Sequence, residues 1–122
     1  MMSGNIATAI TRIGRTLIAT VPGAFETGGM ELLKQQLLSK AYEEDVRAVV
    51  IEMSSVPYLD RSEFNHLTAT ARALRLLGVC VVVSGLSAPI AAYLADADID
   101  QKAFLTTLGL DEALALAGKV EG

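Results

Sequence analysis

Val49-Val50-Ile51-Glu52-Met53-Ser54-Ser55-Val56-Pro57-Tyr58-Leu59-Asp60-Arg61-Ser62-Glu63-Phe64 is the stretch whose reading decides the fold. It begins inside the run Arg47–Met53, where Val49, Val50 and Ile51 are continuously apolar. Such a run predicts a strand covered on both faces, as parallel strands are. A polar link, Ser54 to Leu59, leads to a helix that opens at Asp60. Phe64, Leu67, Ala71 and Leu74 form its apolar stripe, with Arg72 and Arg75 beside it. Gly78 is placed as the glycine just past its end. Val79-Cys80-Val81-Val82-Val83 then predicts a second buried strand. Strand, helix and strand in this order make one crossover unit of a parallel sheet.

Reading outward, Ile6–Thr11 and Thr16–Val21 are strand-like runs joined by a glycine turn at Ile13-Gly14-Arg15, the pattern of a hairpin. After the loop from Ala24 to Gly29, Met30, Leu33, Leu37, Leu38 and Ala41 trace one helical face, and Glu43-Glu44-Asp45 breaks it. On the other side, Gly85–Ser87 turns and a helix runs from Ala88 to Ala97, with Pro89 in its first turn. Phe104–Thr106 is a short strand candidate, and a last helix, Asp111–Ala117, is stopped by Gly118. The predicted order is β-β-α-β-α-β-α-(β)-α. This is an α/β fold with a mixed, mostly parallel sheet and crossover helices, in a single domain spanning residues 1–122 with its core at about 6–117.

Composition narrows the function. Fourteen acidic residues against ten Lys and Arg leave a net charge of −4, which disfavours nucleic acid and anionic lipid as partners. One cysteine and one histidine build neither a disulfide nor a Cys/His zinc site. No signal peptide opens the chain, and the uncharged stretch Val79–Ala95 is too short and too interrupted to span a membrane. His66 reads as a solvated surface histidine and Cys80 as a buried inert thiol. Gly28-Gly29 lacks any phosphate-binding glycine pattern around it. No cofactor, metal or catalytic residue is nominated, and the chain reads as a non-enzyme in the cytoplasm.

Asp60 and Glu63 have the spacing of a capping box, which accounts for both residues structurally. It does not account for Arg61, because a cation in the first turn opposes the helix macrodipole by ~0.3–1 kcal/mol. A local choice in conflict with its setting leans towards function.

With these residues in view, the chain resembles the STAS domains of bacterial anti-sigma-factor antagonists. Val49–Ser54, Val56–Asp60 and Thr70–Gly78 carry the general likeness. Ala73–Gly78, Val81–Ala91 and the tail from Leu94 through Asp111–Leu114 are similar to the stressosome branch, with its sensor proteins and small RsbS-type scaffold. The likeness covers about Ile6 to Ala117. It implies a binding module of stress-response signalling. Its partners would be a switch Ser/Thr kinase of the histidine-kinase-like ATPase fold and sensor STAS paralogues, in a homo- or hetero-oligomer without membrane insertion. In such partner switching, phosphorylation of a Ser or Thr just after the Asp at the start of this helix changes binding, adding about −1.5 to −2 charges.

Here the sequence departs from the family pattern: Asp60-Arg61-Ser62 places Arg61 at the usual acceptor position. Either the switch is lost and Arg61 makes a fixed contact, or Ser62 is the acceptor one residue on. The first is favoured, because a one-residue shift turns the hydroxyl by about 100° around the helix. The expected partner surface comprises Asp60, Arg61, Ser62, Glu63, Asn65 and His66, with Phe25 in a neighbouring loop either an exposed interface anchor or tucked under its own loop. Only Met1–Asn5 precede the first strand, which implies the stand-alone scaffold form and not a sensor. Two other readings compete: a STAS subunit of a membrane lipid-transport complex, and a nucleotide-binding flavodoxin-like protein.

Overall fold

The computed structural model describes residues 9–23, 28–96 and 104–121. Its elements are β1 (Ala9–Ile13), β2 (Thr16–Thr20), α1 (Gly29–Glu43), β3 (Ala48–Glu52), α2 (Arg61–Leu76), β4 (Cys80–Ser84), α3 (Ala88–Asp96), β5 (Leu105–Thr107) and α4 (Leu110–Glu121). The predicted order therefore holds, and the doubtful fifth strand is real. Five strands form one sheet in the order β1-β2-β3-β4-β5, with β1 antiparallel to β2 and every later neighbour parallel.

The hairpin turn is two residues long, since Ile13 pairs with Thr16. Gly14 takes φ +59° there, which suits the turns that match strand twist. Two ion pairs on the outside tie this hairpin to the end of α1. Arg12 Nη1 lies 2.6 Å from Glu44 Oε1, and Arg15 Nε donates to Asp45 Oδ2 at 2.9 Å. The acidic run 43–45 is thus engaged by the hairpin as well as solvated. Arg15's hydrogen bond holds the Asp45 carboxyl below the usual carboxylate range.

Strand order that follows chain order has a consequence for the helices. Right-handed crossovers then all pass over the same face of the sheet. Accordingly Leu33 and Leu37 of α1, Phe64, Leu67 and Leu74 of α2, and Ile90 of α3 share one core with Leu17, Val49, Ile51, Val81 and Val83. The opposite face, with Ile18, Val50 and Val82, is packed by Ala113 and Ala117 of α4. Val49, Val50 and Ile51 are fully buried, as a strand between two layers requires. The order also lacks the reversal that opens a cofactor crevice in doubly wound sheets, which sets aside the flavodoxin-like reading.

The end of α2 is a complete Schellman motif. Val79 N–H donates to Leu74 O at 3.0 Å and Gly78 N–H to Arg75 O at 2.9 Å. Gly78 sits at φ +81°, and Leu74 and Val79 are both buried in the same core. Gly118 behaves otherwise than predicted. α4 continues through it to Glu121, because an exposed glycine weakens a helix without breaking it. Two smaller corrections concern the first sheet strand, which runs to Ile13 and not Thr11, and Cys80, which opens β4 only half-buried. Burial still pushes the Cys80 thiol up. Residues 6–8 of the predicted first strand and Ala97 lie outside the described residues.

These two glycines should respond oppositely to the same change. Gly78→Ala should lower stability by about 1 kcal/mol, since only glycine accepts that φ without strain. Gly118→Ala, with open space at its Cβ, should raise stability by up to about 1 kcal/mol. Urea denaturation of both variants checks the pair.

Candidate functional site

Parallel strands deliver their carboxyl ends to one edge of the sheet, and the loops that follow gather there. At this edge stand the link between β3 and α2, the turn between β4 and α3, and the residues after β5. Asp60 is the N-cap of α2, in extended conformation. Its Oδ1 accepts from Glu63 N–H at 2.7 Å, and Glu63 Oε1 accepts from Asp60 N–H at 3.0 Å. The predicted capping box is present in full.

That box places the next side chains. Arg61 occupies the first helical position and is exposed, as are Ser62 and Asn65. Arg61 and Asn65 are four residues apart and share one side of α2. Ser62 and His66 share another. His66 Nδ1 lies 3.6 Å from Glu31 Oε2 on α1, so the histidine belongs to the seam between the two helices, half-exposed and not simply solvated. The structure thus brings Asp60, Arg61, Ser62, Glu63, Asn65 and His66 together on the first turns of one helix, but divides them between two sides. Phe25 lies outside the described residues.

The link ahead of Asp60 is held at several points. Val56 is buried, and its N–H donates to Met53 O at 2.9 Å. Ser87 Oγ donates to Pro57 O at 3.0 Å, which joins the start of α3 to the link. Phe64 and Tyr93 bring α2 and α3 together through their rings, with centroids 5.5 Å apart. At the end of β3, the Glu52 carboxylate accepts from Ser84 Oγ at 2.6 Å and from Ser54 N–H at 2.6 Å. Partial burial raises the Glu52 pKa, but the hydrogen bonds from Ser54 and Ser84 outweigh it and leave it below the usual value.

Two exposed side chains on this edge were not among the predicted partner residues. Tyr58 is 71% exposed and Leu108, just after β5, is 87% exposed. Exposed large apolar side chains also stand elsewhere, at Tyr42 and Leu76, so exposure alone does not set this edge apart. Tyr58 was open to detection, two residues ahead of Asp60 in a Pro-containing link. Leu108 reaches the edge only through the pairing of β5 with β4, which no local pattern announces.

Among the described residues, no group of three or more His, Cys, Asp or Glu is placed to hold a metal ion, and no helix is long and apolar enough to cross a membrane.

The fold is that of a small α/β domain, and residues 7–114 match the STAS domain model. The chain belongs to the STAS family. Its structure is similar to a variant of RsbS from Moorella thermoacetica, with TM-score 0.81 and 19% identity over 93% of this chain and 97% of that one. It is likewise similar to a chain of the stressosome, described as a signal integration and transduction hub, with TM-score 0.79, 19% identity and coverage of 93% and 98%. A third similar structure is the anti-sigma factor antagonist SpoIIAA in its unphosphorylated form, with TM-score 0.70, 13% identity and coverage of 95% and 99%. No curated protein matches the chain in sequence.

Two outcomes test this geometry. Asp60→Ala should cost about 1–2 kcal/mol by removing the box, read from chemical denaturation. Glu52 has its folded-state pKa lowered from 4.5, so its contribution to stability is present above pH 4.5 and lost as pH falls through the lower folded value. Glu52→Gln should remove that part of the acid-side slope in a stability-versus-pH series.

Proposed function

We propose that this protein is a non-enzymatic, anti-sigma-factor-antagonist-like scaffold of stressosome-type partner switching, acting in the cytoplasm. Its partners are a switch Ser/Thr kinase and sensor STAS paralogues, held in a homo- or hetero-oligomer. The observation that carries this reading is the likeness in fold to RsbS and to a stressosome chain over 93% of this chain, within which this chain is set apart by Arg61. It stands exposed at the first position of α2, fixed by the Asp60–Glu63 box, where the family pattern has a phosphorylatable residue.

Arg61 in this role is a permanent cation. A guanidinium offers five donors in a planar fork suited to carboxylate or phosphate on a facing protein, and its charge does not switch. Ser62 is the weaker acceptor candidate. Its hydroxyl is turned by about 100° around the helix from the usual acceptor position. Tyr58, three residues ahead of Arg61, is an exposed aromatic on the same link. Partner binding would centre on Arg61, with Asp60 and Glu63 positioning it.

Affinity purification of the tagged protein from its own organism, with mass spectrometry, tests the assignment. Recovery of a switch-type kinase with STAS sensor paralogues is expected. Recovery of transporter subunits would replace this function with that of a lipid-transport STAS subunit. Arg61→Glu should reduce capture of the recovered partner at least tenfold, as truncation or reversal of an interface charge does. Incubation with the cognate kinase should leave Ser62 unmodified; a phosphopeptide carrying Ser62 would overturn the fixed-contact reading.

A further inference from the structure

The Glu52 carboxylate has no part in the capping box or in the expected partner surface, yet it accepts two hydrogen bonds, one of them from the neighbouring strand. It joins three segments. Ser84 Oγ, fully buried at the end of β4, donates to Oε2, and Ser54 N–H, in the turn after β3, donates to Oε1. Gly85 is the third. A Cβ on Gly85 would strike Ser54 Oγ and stand 2.8 Å from Glu52 Oε1 and 3.0 Å from Ser54 N, and the glycine is also at φ +74°. The backbone of β4's end is therefore pressed against the carboxylate, with only a glycine thin enough to allow it. The neighbouring β2 end closes in as well: Val21 N–H donates to Glu52 O at 3.0 Å, and a Cβ on Gly23 would stand 2.9 Å from Ser55 O.

Two charge-assisted hydrogen bonds at 2.6 Å are stronger and more directional than neutral ones. They fix the first residue of the link, and the link carries Tyr58 and Asp60 to the edge.

We propose that Glu52 is the positioning residue of the recognition link: by clamping Ser54 to the end of β4, it sets where Tyr58, Asp60 and Arg61 stand for a protein partner. The proposal rests on the partner-binding reading for its effect on affinity, but not for the placement of the link itself.

The test separates positioning from mere stability. Glu52→Ala alone leaves the buried Ser84 hydroxyl without its acceptor, which is costly for any buried polar group. Glu52→Ala with Ser84→Ala removes that orphan, so stability should return towards wild type. In this double variant the backbone amide signals of residues 54–63, read by ¹H–¹⁵N NMR on the free protein, should remain displaced while those of α4 stay in place. Glu52→Gln, whose amide oxygen still accepts from Ser54 N–H, should restore the link signals. Gly85→Ala should displace the same signals with Glu52 intact. A recovered partner should bind the double variant about tenfold more weakly, the loss of roughly one charge-assisted bond's worth of placement. Link amides at their wild-type positions in the folded double variant would overturn the proposal, as would an affinity unchanged by a displaced link. The NMR arm needs no partner, so a failure to recover a kinase or sensor counts against the scaffold function alone.

Discussion

The structure depends on one constraint, the right-handedness of the crossover between parallel strands. Because the five strands lie side by side in chain order, each crossover repeats the last one's direction. α1, α2 and α3 all contribute to the core on one face, and α4 packs the other. Their common parallel direction sends the ends of β3, β4 and β5 to one edge. The link after β3, the turn after β4 and Leu108 after β5 meet there without any element being bent to reach it. A reversal in strand order would have opened a crevice; this order offers a surface instead.

At that edge, two short polar devices do different jobs. The capping box closes the amide groups at the start of α2 and orients its first turn, using only residues inside one helix turn. The Glu52 clamp acts across strands, holding the link to β4 through a buried hydroxyl. Between them runs a link whose middle is pinned by Val56 in the core and by Ser87 on Pro57. Arg61 is thus an exposed cation on a rigid mount. Its electrostatic conflict with the helix dipole is small beside the stabilisation from the box that surrounds it.

Much of this was readable in the sequence, for identifiable reasons. The continuous apolar run at Val49–Ile51, the stripe Phe64–Leu74 and the Gly78 terminus are local patterns with one common structural solution, and the structure adopts it. The capping box was readable because both partners lie three residues apart. What escaped was non-local or permissive. Gly118 reads locally as a stop, but a glycine ends a helix only where the chain needs a left-handed residue, and α4 does not need one there. His66 is a half-exposed surface histidine, but its Glu31 neighbour comes from α1 and is invisible from its own helix. Leu108 and the Glu52–Ser84 bond depend on strand pairing between segments far apart in sequence. No window of residues around either one contains the information.

The division of the helices also has a meaning for the order in which the chain is made. Once β4 has emerged during synthesis, α1 and α2 are available to cover one face of the sheet. Ile18, Val50 and Val82 on the other face must wait for α4, which is encoded after every strand. Until then the growing chain carries a sheet with one wet apolar side, the kind of surface that invites chaperones or a second chain. The last helix therefore completes the second layer of the core, and truncations that remove it should be judged as losses of that layer, not as trimmed tails.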